Sequence, residues 1–293
     1  MGISISSPSS RDLITTKVEN AYKTGVLNLA KLEIKSNSQV WSAISSPELS
    51  VKIKVLDLSC NPLKSLPLHI ALLEHIKSLH LSKCCLQRIP NLSMLSELKK
   101  LDLDNNDLEE TTITQLPHSL ISLNLSFNHI ICYPEILHVL NNLQVLDISS
   151  NRLENVEFIG YLSALVTLNL DNNQLVDLPD TFEYLRSIKK ISAKNNLFIP
   201  KSPTRNTQCI PAKLLESTPL ETIELHGNKY LTNDIVLKFD GIESFITRRF
   251  SHSKLTFYKY FYILYFNFLY TKGITQKKKP YSVELSLIIH YLD

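Results

Sequence analysis

The chain holds nine histidines and five cysteines among its 293 residues, its best candidates for metal ligands and nucleophiles. Metal chemistry needs such residues at set spacings, for example two histidines one helical turn apart around a glutamate, or two cysteine pairs. Neither occurs. The histidines are dispersed, His80 and His226 are distant with no evident partner, and Cys84-Cys85 lacks a second pair. With only six glycines there is no phosphate-cradling loop and no nucleophile elbow. The expectation is a protein that is not an enzyme and holds no metal or cofactor.

Two short stretches suit covalent modification instead. Met1-Gly2-Ile3-Ser4-Ile5-Ser6 fits N-myristoylation of Gly2 once Met1 is removed. One acyl chain gives only reversible membrane contact, so the expectation is peripheral association assisted by Arg11, Lys17 and Lys23. Ser202-Pro203 fits a proline-directed phosphosite, with an unmodified polar loop as the plainer reading.

The elements that would carry any site follow from a repeat. "LVTLNLDNNQL" from Leu165 has counterparts beginning at Ile53, Ile76, Leu98, Leu120 and Leu143, with weaker copies at Ile188 and Leu220. A polar residue recurs within each apolar frame, at Asn61, Cys84, Asn106, Asn128, Asn151, Asn173, Asn196 and Asn228. The steps are 23, 22, 22, 23, 22, 23 and 32 residues. The frame resembles the leucine-rich repeat signature, in which cysteine is a known alternative to asparagine. The fold expected is α/β: a leucine-rich repeat solenoid with a curved, parallel β-sheet on its concave face and short helical or 3₁₀ turns on its convex face.

Side-chain alternation assigns the positions. Leu168 and Leu170 are two apart, point to one side of a strand and enter the core. The recurrent asparagines can donate and accept within the turn that follows, so a stacked ladder of them should close successive turns. Cys84 should do so poorly. The residue between the two core positions faces solvent, giving a polar column of Asp57, His80, Asp102, Asn124, Asp147, Asn169, Ser192 and Glu224. Beside it runs a neutral to basic column that includes Lys100 and Lys190, and Phe127 stands near the middle as an aromatic anchor. The partner-binding set expected on the concave face is therefore Asp57, His80, Lys100, Asp102, Asn124, Phe127, Asp147, Asn169, Lys190 and Glu224.

The ends give the domain plan. Residues 1–17 read as a flexible lead, and 18–52 as an N-terminal cap in which Val18–Ile34 forms a short helix leading into a degenerate first strand at Leu27 and Leu29. The repeat domain extends over 18–250 and closes with an amphipathic helix at about 233–250, whose apolar side carries Phe239, Ile242, Phe245 and Ile246. The surplus in the long step is assigned to a polar surface loop, Lys201 to Cys209. The Lys23-Thr24-Gly25 lead-in, the stretch Ile210 to Asn228 and the closing Gly241 to Phe250 resemble the leucine-rich repeat-containing protein 57 family over residues 1 to 255. That resemblance implies a small intracellular interaction protein without an enzymatic activity. Residues 251–293 form an aromatic and basic tail, with nine aromatics between Phe257 and Tyr270. Three readings of it stay open: a translated non-coding extension, a membrane-contacting tail, or a packed extension.

Charge and cysteine use narrow the function class. A net charge of +3 and an acidic central column give no basic stripe for a phosphate backbone, so direct nucleic-acid binding is not expected. The cysteines do not bracket the array and no apolar leader opens the chain, which points to a reducing, cytoplasmic setting with membrane association through Gly2. The expected function is a monomeric adaptor or scaffold that binds protein on its concave face. The alternatives are a regulatory subunit of a signalling enzyme (phosphatase or small-GTPase pathway) and a ribonucleoprotein component.

Overall fold

The computed structural model describes residues 8–113, 115–132, 134–201 and 208–250. Gly2, Ser202-Pro203 and the tail from 251 lie outside them. Nine parallel strands form one unclosed sheet in strict chain order: β1 (Val26–Asn28), β2 (Val55–Asp57), β3 (Ser78–His80), β4 (Lys100–Asp102), β5 (Ser122–Asn124), β6 (Val145–Asp147), β7 (Thr167–Asn169), β8 (Lys190–Ser192) and β9 (Thr222–Glu224). The register aligns Leu27, Leu56, Leu79, Leu101, Leu123, Leu146, Leu168, Ile191 and Ile223, and all nine are buried. Each repeat buries its apolar row only against its neighbours, so the core is continuous along the stack.

On the convex side the chain returns through short 3₁₀ turns, among them Leu68–Leu72, Glu135–Val139, Glu157–Tyr161 and Asp180–Tyr184. Pro67, Pro134 and Pro179 immediately precede three of them. Ile70, Leu73, Phe182 and Leu185 point inward as the frame predicts.

Three boundaries differ from the sequence reading. Helix α1 runs Pro8–Thr24, so it takes in ten residues of the segment read as flexible. Its inward stripe is Ile14, Val18 and Ala21, of which Val18 is only the middle member. The closing helix is two helices, α5 (Asn233–Val236) and α6 (Ile242–Phe250). Gly241 separates them at φ +84°, and a Cβ there would lie 2.6 Å from Ala212 O, so the chain must break its helix to pass. Phe239, Ile242, Phe245 and Ile246 are nevertheless all buried. Finally, Cys209 is not part of a surface loop. It is fully buried, and its carbonyl accepts from Leu178 N at 2.8 Å. The long step then continues through helix α4 (Ala212–Ser217) in place of a 3₁₀ turn.

The N-terminal edge of the sheet is covered from α1 and the segments that follow β1. At β1 the Lys17 ammonium of α1 donates to Asn28 O at 2.8 Å, occupying a backbone acceptor of the edge strand. Further helical segments, α2 (Val40–Ile44) and α3 (Pro47–Ser50), close the N-terminal end and bury Trp41, whose indole N–H donates to Lys35 O at 2.9 Å.

Candidate partner-binding face

The asparagine ladder sets the geometry of the concave face. Asn151 Nδ2 donates to Leu125 O of the preceding repeat and to Ile148 O of its own, while its Oδ1 accepts from Ile130 N. The same pattern holds at Asn106, Asn128 and Asn173. By taking Leu125 O, Asn151 removes the acceptor that would have continued the strand pairing. The N–H of Ser149 must then find another partner.

That partner is the polar column itself. Ser149 N donates to Asp147 Oδ1 at 3.0 Å, Ser59 N to Asp57 Oδ1 at 2.9 Å, Ser126 N to Asn124 Oδ1 at 3.0 Å and Asp171 N to Asn169 Oδ1 at 3.1 Å. These are short side-chain caps that end β2, β5, β6 and β7 after three residues. Asp and Asn serve equally, because only the acceptor oxygen is used. Much of the column expected to bind a partner is thus occupied in holding the sheet.

The C-terminal part of the face is also satisfied from within. Lys190 Nζ lies 2.6 Å from Glu224 Oε1, and Lys194 Nζ lies 2.9 Å from Glu224 Oε2 and 3.2 Å from Asp171 Oδ2. Burial raises the Glu224 pKa, but the hydrogen bonds and charges of the two lysines outweigh it and hold the carboxyl at about 2. Towards the other end, His80 has partners that the sequence did not reveal. Its Nε2 is 2.9 Å from Ser78 Oγ and its Nδ1 is 3.7 Å from Asp102 Oδ2.

The centre is less balanced. Burial and the Asp102 carboxylate push the Asp104 carboxyl up, against hydrogen bonds from Ser82 and Asn105. Asp102 Oδ1 is screened from solvent and has no hydrogen-bond donor among the described residues. Two abutting carboxylates both accept, so a proton or another cation is needed between or beside them. None of the ion pairs among the described residues includes Asp104.

A family model described as leucine rich repeats (2 copies) matches residues 141–187. The structure of a leucine-rich repeat protein of Leptospira interrogans superposes with a TM-score of 0.54 at 21% identity, covering 78% of this chain and 79% of that one. The fold is a leucine-rich repeat solenoid. No curated protein sequence matches the chain. Leucine-rich repeat folds generally serve protein–protein interaction, and the concave sheet is the surface such solenoids offer.

Within the solenoid the expected residues fall into three groups. Asp57, Asn124, Asp147 and Asn169 are caps, and the second side-chain atoms of three of them also bond across strands: Asn28 Nδ2 donates to Asp57 Oδ2 at 3.3 Å and Asn169 Nδ2 to Asp147 Oδ2 at 3.0 Å. Lys190 and Glu224 are paired with each other, and His80 and Asp102 are close. Lys100 and Phe127 are exposed and project freely. Asp104, Asp171 and Lys194 also shape the face and were not in the expected set. The repeated Asp/Asn-x-Ser spacing at 57–59, 124–126 and 147–149 was the legible sign of the caps.

Proposed function

We propose that the protein is an intracellular, non-catalytic adaptor that binds a protein partner across the concave face of its solenoid. The observation carrying this reading is the first strand column, Val55, Ser78, Lys100, Ser122, Val145, Thr167, Lys190 and Thr222. It runs in register over eight strands, stays at least partly open to solvent, and none of its side chains from Val55 to Thr167 caps a strand. An ordered column whose side chains from Val55 to Thr167 do not cap the sheet is a surface that a partner can cover without disturbing the strand ends. The resemblance of both ends to the leucine-rich repeat-containing protein 57 family supports the intracellular setting. Membrane visits through an acylated Gly2 belong to the same reading.

The test is affinity purification of the full chain from cytosol, read by mass spectrometry, beside a Lys100→Glu/Val145→Glu/Thr167→Glu variant. The variant should keep its circular dichroism and lose the main partner. An unchanged partner set with an unchanged spectrum would place binding elsewhere.

A further inference from the structure

Phe127 occupies a backbone position that does not suit it. The residue before each ladder position is left-handed, with φ between 52° and 59° at Cys60, Lys83, Asn105, Phe127, Ser150, Asn172 and Asn195, and 76° at Gly227. Small, polar or flexible side chains fill the other seven places. A ring there loses conformational preference, and it gains no burial in return, since Phe127 is 54% exposed. An exposed aromatic in an unfavourable backbone region is a reason to ask what contacts it.

Its surroundings answer in chemical terms. Asn105 N donates to Ser126 O at 3.0 Å, which sets Asp104 one strand away from Ser126 and therefore beside the Phe127 turn. Asp104 bears the carboxyl that crowding with Asp102 leaves without a cationic partner. The ends of the face cannot serve in the same way, because Glu224 and Asp171 already hold Lys190 and Lys194. An exposed aromatic residue in the turn of the repeat adjoining an unbalanced carboxylate matches one side chain best. A guanidinium is planar, pairs with a carboxylate through two N–H groups and stacks on a ring, whereas an ammonium does only part of this.

Resting on the concave-face reading, we propose that the partner inserts an arginine at the centre of the solenoid, its guanidinium stacked on Phe127 and paired with Asp104. The partner segment is therefore basic, and it lies across β4 to β6. Its cation relieves the repulsion between Asp102 and Asp104, so binding weakens with salt and at acid pH. The groups beside this carboxylate pair are Ser82 and His80 from β3 and its turn, Asn105 on its own turn, and Asn124, the register partner of Asp102, from the next strand, with Phe127 in the turn that follows.

The probe is a random twelve-residue peptide library displayed on phage and selected against the full chain. Selected peptides should be enriched in arginine. They should lose at least tenfold in affinity on Phe127→Ser and on Asp104→Asn, and about as much when their own arginine becomes lysine. Serine is native at the equivalent Ser150, so Phe127→Ser should remain folded, with unfolding in urea as the check. Loss of under twofold on both variants, or a library that yields no binder, would overturn the proposal. Binders indifferent to Phe127 and Asp104 but lost on Lys100→Glu/Val145→Glu/Thr167→Glu would leave the concave reading standing and remove the arginine site. Binders indifferent to every one of these changes would remove both.

Discussion

Leu63 donates its amide to Asn61 O at 2.8 Å, two residues back along its own chain. In the other repeats the matching amide reaches forward to the next ladder side chain, as Leu108 N does to Asn128 Oδ1 at 3.0 Å and Leu153 N to Asn173 Oδ1 at 3.0 Å. The ladder residue facing Leu63 is Cys84. Its thiol donates to Leu58 O at 3.2 Å but accepts nothing from the turn. The backbone therefore folds onto itself where the side chain cannot help. Asn106, by contrast, accepts from Cys84 N and Leu86 N and donates to Leu81 O and Leu103 O. Asn106→Ala should cost on the order of 2–3 kcal/mol, because it strands buried amides and carbonyls. Cys84→Ala should cost about 1 kcal/mol or less, since little but a weak donor is lost. Urea unfolding of both variants decides it, and equal losses would contradict the difference between the two ladder residues.

The strand caps yield a second expectation. Asp147 Oδ1 accepts from Ser149 N and Ser149 Oγ, and its Oδ2 accepts from Asn169 Nδ2 at 3.0 Å. Asp147→Asn should cost only about 0.5–1 kcal/mol, because its Oδ1 can keep the cap as Asn124 and Asn169 do, while its Nδ2 would face the Asn169 Nδ2 and lose that one hydrogen bond. Asp147→Ala should cost roughly 1–2 kcal/mol. If alanine were as well tolerated as asparagine, the column would have no structural role and its acidity would revert to being a binding feature.

The strands, the buried rows and the turn-closing asparagines were all legible, because spacing alone decides which side chains share a face. Leu168 is fully buried, as the frame requires, and Leu168→Ala should cost roughly 2–5 kcal/mol. What was not legible depended on contacts between repeats. The Lys190–Glu224 and Lys194–Asp171 pairs join residues 34 and 23 positions apart in adjacent repeats, as does His80–Asp102 across a step of 22, and frame position gives no side-chain reach. The capping use of Asp57 and Asp147 was missed because the same residue type at the same position suits either a solvent-facing column or a strand end. The break at Gly241 was hidden by a good apolar pattern on both sides of it.

Acid should weaken the C-terminal part of the sheet. The Glu224 carboxyl is held at about 2, below its ordinary 4.5, by Lys190 and Lys194 acting against burial. A carboxylate with a depressed folded pKa contributes stability that is complete above the unfolded value and lost as pH falls through the folded one. That window runs from 4.5 down to about 2. Glu224→Gln should therefore be less stable than the parent near neutrality, and the gap should narrow as pH is lowered across that window. Urea midpoints at about pH 6 and about pH 3 measure it. A gap of constant size would mean that the lysines do not stabilise the ionised form.

Packing on the convex side supplies the last test. Gly160 lies buried in the 3₁₀ turn Glu157–Tyr161, against the next turn, Asp180–Tyr184. A Cβ at Gly160 would collide with the Thr181 carbonyl, which is backbone and cannot swing aside. The two turns are further tied by Thr181 Oγ1 donating to Glu157 O at 2.6 Å and by the stacked rings of Tyr161 and Tyr184, 6.3 Å apart. Room for one methyl group requires the two repeats to separate, so Gly160→Ala should cost roughly 1–3 kcal/mol. Because each repeat is stabilised chiefly by its neighbours, the glycine change should also speed amide exchange locally, in residues 157–184, ahead of the N-terminal repeats. Uniform exchange along the whole array, with no local opening, would show that this seam is not where the collision is relieved.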